Sequence, residues 1–511
     1  MKTRSEAQGA DNQNLYAVLE RRFPAEGHGC AIETEEGLYY SWDDLRHASA
    51  RIANLLASLG MKKGARVAVQ VEKSPEALLL YLACLRAGFA FLPLNTAYQA
   101  AEIDYFVGNA EPGVIVCSPS NLGWIEPIAK AHRVRNVYTL GALRDGSLLA
   151  AAAPHADSFD TVTCGRDDLA AILYTSGTTG RSKGAMLSHG NLASNSRVLH
   201  HYWRWRPGDV LVHALPIFHV HGLFVACHGA LYNGSRMIWQ ARFDPVRATA
   251  AFARGTVFMG VPTMYVRLLD HPGFSREAAA GMRLFVSGSA PLLPETFRQF
   301  EARTGQRILE RYGMSETVML TSNPYDGNRI GGTVGLPLPG VQVRVVDEAG
   351  KPCTAGEIGS IEVSGPNVFS GYWRMPEKTR EEFTADGFFR TGDMGRFDAN
   401  GYVAIVGRSK DLIITGGYNV YPKEIEAYID DMEGVLESAV IGVAHRDFGE
   451  AVTAVVVRAP GANLDPQAMI RTLKQQIAGF KVPKQIHIVD ELPRNTMGKV
   501  QKNLLRERFG G

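Results

Sequence analysis

The stretch that most restricts the fold is an apolar run, Leu169-Ala170-Ala171-Ile172-Leu173, which empties through Tyr174 into Thr175-Ser176-Gly177-Thr178-Thr179-Gly180-Arg181-Ser182-Lys183-Gly184. A short apolar run without alternation reads as a strand buried in a sheet. The Gly, Ser and Thr residues after it suit a loop that wraps phosphate. Glycine lets the backbone approach closely and take positive φ. Backbone N–H groups and hydroxyls donate to phosphate oxygens, and Lys183 adds a cation. This is not a Walker loop, which needs Gly directly before its Lys and Ser or Thr directly after. Here Ser182 and Gly184 flank the lysine in the opposite order.

Similar runs recur along the chain. Arg66–Val71, Val114–Cys117, Val210–Leu215 and Leu284–Ser287 read as strands, and Pro75–Ala87 as a helix with a stripe of Ala77, Leu78, Tyr81, Leu82 and Leu85. Strands alternating with helices predict an α/β fold of layers around largely parallel sheets. At 511 residues the chain exceeds one ordinary core. From Gly335 the texture changes to short alternating strands, Val341–Val346 and Gly359–Val363, which predict a small β-rich subdomain. Gly407-Arg408-Ser409-Lys410-Asp411 is the best boundary, giving domains 1–409 and 410–511. The second carries its own strands, Glu437–Val443 and Thr453–Val457, as a small α+β domain.

The 54 basic and 52 acidic residues leave a net charge of +2. That supplies no drive toward nucleic acid or an anionic membrane. The six cysteines are scattered without a Cys-x-x-Cys pair, which fits a reduced compartment. The start of the chain is polar and no apolar stretch reaches membrane-spanning length. A cytoplasmic protein with no nucleic-acid or membrane partner is the expectation.

Four further segments carry chemistry. In Glu310-Arg311-Tyr312-Gly313-Met314-Ser315-Glu316-Thr317 an aromatic beside glycine can stack on a base, a hydroxyl can meet phosphate and a carboxylate can hold Mg²⁺. The same Ser and Glu would also serve as a helix-capping pair. In Phe389-Arg390-Thr391-Gly392-Asp393 the aspartate can accept ribose hydroxyls, or it is a β-turn residue. Then come Gly407–Asp411 with Ile414-Thr415-Gly416-Gly417-Tyr418-Asn419-Val420, and finally Pro493-Arg494-Asn495-Thr496-Met497-Gly498-Lys499-Val500-Gln501-Lys502.

In order and spacing these segments closely resemble the adenylate-forming superfamily of acyl-CoA synthetases, luciferases and peptide-synthetase adenylation domains. The resemblance runs from Leu15 to Arg508. Within it, Lys183–Ser196, His213–Val225 and Thr321–Gly327 look like the malonyl-CoA synthetases. The resemblance implies a large N-terminal domain and a mobile C-terminal one, with ATP, Mg²⁺ and coenzyme A as cofactor and co-substrates. It implies attack of a carboxylate, malonate or a related small acid, on the α-phosphate of ATP, then thioester formation with CoA. Rivals are a plain short-chain or methylmalonyl acyl-CoA synthetase, an enzyme loading a carrier protein, and a catalytically dead nucleotide-binding scaffold.

Carried over residue by residue, the resemblance implies that Thr175, Ser176, Gly177, Thr178, Thr179, Gly180 and Lys183 hold the ATP phosphates. Gly288, Ser289, Ala290, Glu310, Arg311, Tyr312, Gly313 and Met314 line the nucleotide, and Ser315 keeps a phosphate-facing hydroxyl. Glu316 and Thr175 serve Mg²⁺, and Asp393 and Arg408 hold the ribose. Lys499 is the catalytic lysine of adenylation and a target for a protein lysine acetyltransferase, Lys410 is the hinge, and Gly416 and Gly417 line the CoA channel. Several relatives carry an Arg just after those glycines, where Tyr418-Asn419 stand here. The acyl pocket is assigned His219, His221, Arg283 and Ser287. An Arg there offers a fork for a second carboxylate. Arg283 stays open between that role and structural pairing.

Overall fold

The computed structural model describes residues 12–175, 182–415, 418–445, 448–477, 479–495 and 498–510. It forms two compact units, Met1–Gln342 with Ser364–Gly387 and Val343–Val363 with Phe388–Gly511.

The first unit holds two mixed sheets. The six-stranded one runs Asn136–Thr139, Val114–Cys117, Arg66–Gln70, Ala90–Pro93, Leu169–Thr175, Lys183–Ser188. Every pairing is parallel except the final hairpin. The strand expected before the glycine-rich loop is present and reaches Thr175, with residues 170–174 buried. The nine-stranded sheet has a parallel centre formed by Arg236–Trp239, Val210–His213, Val257–Gly260, Leu284–Ser287 and Leu309–Met314. The C-terminal ends of these strands open on one edge, where α/β sheets bind ligands.

Helix Pro75–Arg86 starts where expected: Pro75 sits at its first position and Ser74 accepts the Ala77 N–H at 3.1 Å. The apolar stripe, however, understates its burial, since all twelve residues are buried. The helix lies between its sheet and the neighbouring helix Trp42–Ser58. Its charged residues are accommodated by partners: Glu76 accepts from Tyr40 Oη at 2.5 Å, and Arg86 donates to the Arg46 and Phe159 carbonyls at 2.6 and 2.9 Å. Behind strand Leu284–Ser287 an aromatic block of Phe252, Phe258, Phe285 and Phe300 packs edge to face, Phe285 and Phe300 at 4.9 Å between centroids. Such packing leaves the strand end little freedom to shift.

The second unit contains the expected short strands. Gln342–Val346, Gly359–Ser364, Phe389–Phe397 and Val403–Arg408 form a four-stranded sheet. The C-terminal sheet orders Tyr418–Val420, Ile413–Thr415, Gly449–Arg458, Val435–His445, and Gln485–Val489 pairs in parallel with Gly449–Arg458. Helices Pro422–Asp430 and Pro466–Gln476 bury Ile425, Ile429, Met469, Ile470 and Leu473 in its core. Among the described residues no helix is long and apolar enough to cross a membrane.

Candidate active site

Two segments of the first unit meet at the C-terminal edge of the parallel strands. Ser287 ends one strand and leads into Gly288-Ser289-Ala290, and the next strand carries Glu310, Arg311 and Tyr312, with Ser287 in register with Glu310. The turn is tight: Ser289 takes φ +73°, and Leu292 N–H donates to Glu310 Oε1 at 3.3 Å. Side chains alternate across a strand, so Glu310 braces this turn while Arg311 points to the opposite face. Arg311 is 3% exposed. Its guanidinium passes beneath Gly288, where an added Cβ would collide with Nη1. Nε and Nη2 find no hydrogen-bond partner among the described residues. Burial pushes its pKa down to about 9, which leaves it a cation at neutral pH. A buried cation without a counter-charge is costly, and it marks a place for an anion.

His221 opens a π-helix, His221–Cys227, whose seven residues are all buried. Such turns cluster at functional sites. An added Cβ on Gly222 would collide with the Pro216 carbonyl, so the chain comes close on itself here. His221 Nδ1 lies 3.3 Å from Ser289 Oγ, and Nε2 has no partner among the described residues. Burial, then the positive charges of Arg311, His219 and His213, holds its pKa well below the usual histidine value. It is therefore a neutral imidazole, able to donate one N–H. His219 is partly buried, and its Nδ1 accepts the His221 N–H at 3.3 Å. Ser287 Oγ is buried at the strand end and likewise finds no partner among the described residues.

Arg283 does not join this group, which corrects its assignment to the substrate. It precedes the first residue of strand Leu284–Ser287, at the end opposite Ser287. Its Nε donates to Asp209 Oδ1 at 2.7 Å, its Nη2 to Asp209 Oδ2, and its Nη1 to the Trp203 carbonyl at 3.3 Å. A guanidinium committed to a buried carboxylate on the far side of the sheet is a structural tie.

Thr175 and Lys183 face each other across the hairpin, Thr175 Oγ1 donating to the Lys183 carbonyl at 3.4 Å. Ser176, Gly177, Thr178, Thr179 and Gly180 lie outside the described residues. Lys183 Nζ is 3.3 Å from Glu382 Oε1 and 4.4 Å from the centre of the Tyr372 ring. Tyr372 Oη donates to Glu316 Oε1 at 3.0 Å, and Glu316 is 5% exposed. Ser315 and Glu316 occupy a turn between antiparallel strands Leu309–Met314 and Val318–Ser322, closed by Thr317 N–H to the Met314 carbonyl at 3.1 Å. No helix begins there, so the capping alternative falls. Gly313 is required by the approach of the Val318 carbonyl, with which a Cβ would collide. Among the described residues no group of three or more His, Cys, Asp or Glu could hold a metal. A single buried carboxylate near a cationic lysine nevertheless fits Mg²⁺, which takes one or two carboxylates and completes its shell with water and phosphate oxygens.

In the second unit Asp393 and Arg408 are a directly opposed cross-strand pair, Arg408 Nε lying 2.6 Å from Asp393 Oδ1. Asp393 is buried within strand Phe389–Phe397 and is no ordinary β-turn aspartate. Lys410 follows in the single turn Ser409–Asp411. Partial desolvation, reinforced by Arg408 and Arg506 and opposed by Asp411 and Asp393, holds its pKa below the usual lysine value. Gly416 and Gly417 lie outside the described residues. Lys499 is exposed on a tight turn: its N–H donates to Asn495 Oδ1 at 3.0 Å and its carbonyl accepts the Asn495 N–H at 2.9 Å. Arg494 pins the turn, with Nη1 on the Gly498 carbonyl at 2.6 Å and Nη2 on Glu437.

The family model described as AMP-binding enzyme matches residues 20–373, and that of the AMP-binding enzyme C-terminal domain matches 424–499. The chain belongs to the AMP-binding enzyme family. This AMP-binding enzyme is similar to malonate–CoA ligase of Arabidopsis thaliana, 34% identical over 97% of this chain and 89% of that protein. It is equally similar to feruloyl-CoA synthase of an Amycolatopsis species, 34% identical over 98% of this chain and 100% of that protein. Among solved structures it resembles ATP-bound MatB from Rhodopseudomonas palustris, at TM-score 0.95 and 58% identity over 98% and 99% of the two chains. Sequence reasoning about this AMP-binding enzyme assigned Arg311 to the nucleotide and missed Tyr372, Glu382 and Arg494. The available signal for Arg311, flanked by Glu310 and Tyr312, was a cation one residue into a strand-forming motif segment. For Tyr372 and Glu382, far along the chain from Lys183, the sequence carries no signal.

Proposed function

We propose that the protein is an ATP-dependent malonyl-CoA synthetase. A malonate carboxylate oxygen attacks the α-phosphorus of ATP and expels pyrophosphate, giving malonyl-AMP. The CoA sulfur then attacks the acyl carbon and expels AMP. The observation that carries the choice of acid is Arg311, a buried guanidinium with unpartnered Nε and Nη2 beside the glycine turn and near neutral His221. Such a fork suits the second carboxylate of malonate. Resemblance to a malonate–CoA ligase and to MatB supports the same acid. A feruloyl-CoA synthase of equal identity has a differently named substrate, so the acid is argued from the pocket.

In this reading Arg311 and His221 hold the distal carboxylate and leave the other to react. Tyr312 stacks on adenine, with Gly288–Ala290 and Gly313–Met314 beside it, while Ser315, Thr175, Lys183 and the loop between them hold phosphate. Asp393 and Arg408 take the ribose. Lys499 places its ammonium where negative charge gathers in the first transition state. Mg²⁺, which Glu316 and Thr175 would hold, would supply further neutralisation of the phosphates. We infer that domains 1–409 and 410–511 turn about Lys410 between half-reactions, so that Gly416 and Gly417 line the CoA channel in the second. We also infer a cytoplasmic location and acetylation of Lys499 by a protein lysine acetyltransferase, which would delete its charge; its exposure supports this.

The test is thioester formation with malonate, methylmalonate, succinate, acetate and propionate side by side. A site built around a polar group rejects an analogue lacking it by about 10⁴-fold or more, so malonate should lead acetate and propionate by that margin. Acetate turned over as well as malonate would sink the dicarboxylate reading and leave a plain short-chain acyl-CoA synthetase.

A further inference from the structure

We propose that Tyr372 is a positioning residue for Mg·ATP, acting as a spacer that holds Glu316 and Lys183 apart at one fixed separation. The inference rests on the reading of the protein as an ATP-dependent ligase. Tyr372 is 3% exposed, and its two faces of chemistry are both in use. Its hydroxyl donates to Glu316 Oε1 at 3.0 Å, and its ring carries Lys183 Nζ at 4.4 Å. Tyr372 thus touches the carboxylate with its hydroxyl and the lysine with its ring, and a direct pairing of Lys183 with Glu316, beyond the one it has with Glu382, would leave less charge to offer a metal or a phosphate. A phenol donating to the carboxylate keeps that group anionic and fixes its orientation, as outer hydrogen bonds do for metal-binding carboxylates. The ring face holds the ammonium by a contact that adds no second negative charge to the one it already meets in Glu382 Oε1 at 3.3 Å.

The backbone around Tyr372 is tied to both clients. Trp373 N–H donates to the Gly184 carbonyl at 2.7 Å and Met186 N–H to the Gly371 carbonyl at 3.0 Å, on the strand that carries Lys183. Phe369 N–H donates to the Glu316 carbonyl at 2.8 Å. Tyr372 N–H is held by Thr379 Oγ1 at 2.9 Å. The tyrosine therefore reports on neither client alone: it sets their relation.

Calorimetric titration of the full chain with ATP, without acid or CoA, tests this, once with Mg²⁺ and once in EDTA. Tyr372→Phe keeps the ring and loses only the donor to a charged acceptor. It should weaken Mg·ATP binding about tenfold or more and leave metal-free ATP within about twofold. In a Glu316→Gln background the same substitution should change Mg·ATP binding by less than about twofold, because its client is gone. Tyr372→Leu, which also removes the ring, should weaken ATP in both conditions. Equal weakening with and without metal in Tyr372→Phe, or none in either, overturns the proposal, as does an undiminished effect in the Glu316→Gln background. Should Tyr372→Phe melt before it can be titrated, Glu316→Gln in the wild-type and Tyr372→Leu chains provides the same cycle, and additive effects there refute it. Wild-type protein that fails to bind Mg·ATP at all refutes the ligase reading instead.

Discussion

Replacing Arg311 by methionine separates the chemistry of the acid from the stability of the fold. In the protein without ligand this guanidinium is buried, presses against Gly288 and leaves Nε and Nη2 unpartnered among the described residues. Tyr265, whose charge would act on this guanidinium, has its hydroxyl on the Val286 carbonyl at 2.7 Å and is held protonated by burial. The guanidinium thus carries a desolvation cost that an anion relieves. Removing one partner of a buried ion pair typically costs about 3–5 kcal/mol. At about 1.4 kcal/mol per decade, kcat/KM for malonate should fall by about 10²- to 10³·⁵-fold. Acetate and propionate never meet the guanidinium's fork, so their turnover should hold or improve. The thermal midpoint of the ligand-free protein should hold or rise, because an apolar side chain replaces an uncompensated buried charge. The assay is steady-state thioester formation for each acid, alongside thermal unfolding and ATP–pyrophosphate exchange. Equal loss for malonate and acetate, together with a lower midpoint, would show that Arg311 holds the fold and that the acid is recognised elsewhere.

Arg283→Met should do the reverse: breaking the pair with Asp209 should destabilise the protein by about 3–5 kcal/mol while the ratio of malonate to acetate turnover stays put; a collapsed ratio in folded protein would return Arg283 to the pocket. Lys499→Ala should lower adenylation by about 10²–10³ and largely spare thioester formation from supplied malonyl-AMP; equal loss in both half-reactions would contradict its role. Lys73 predicts a pH effect on stability. Its ammonium donates to the His213 and Gln240 carbonyls at 2.8 and 2.6 Å, and burial, opposed by Cys227 and Glu35, lowers its pKa to about 7. An unfolded lysine keeps its proton to about pH 10.4, so between those values the unfolded chain binds more protons and stability rises with pH. The destabilising contribution is full below pH 7 and gone above about pH 10.4. Thermal midpoints between pH 7 and pH 10 should climb relative to Lys73→Met, and parallel profiles would mean that Lys73 is not desolvated.

The elements with local signatures were legible. The strand before the glycine-rich loop, the Ser74–Pro75 helix start and the alternating strands after Gly335 each declare themselves within a few residues. The motif residues Glu316, Asp393 and Lys499 were singled out because their order along the chain resembles a family. What stayed hidden depends on contacts between distant segments. Arg283 and Arg311 are both arginines at strands of the same sheet, and only the fold reveals that one meets Asp209 while the other leaves Nε and Nη2 without a hydrogen-bond partner among the described residues. Tyr372 lies 189 positions from Lys183 and 56 from Glu316, and single-sequence patterning has no reach over such spans. The depth at which helix Pro75–Arg86 is buried was likewise invisible, because its polar residues find partners on other elements.

The space beneath Gly288 also constrains how an enzyme of this kind changes its diet over generations. Alanine at 288 with arginine still at 311 would put a methyl group into the guanidinium. The two positions are therefore coupled: the guanidinium must swing aside or the arginine must shrink before the glycine can grow. A lineage that fills the turn displaces the cation as it does so. The glycine touches no part of the acid in this account, yet it keeps the door to that specificity, and a library that varies position 311 alone explores only half of the route.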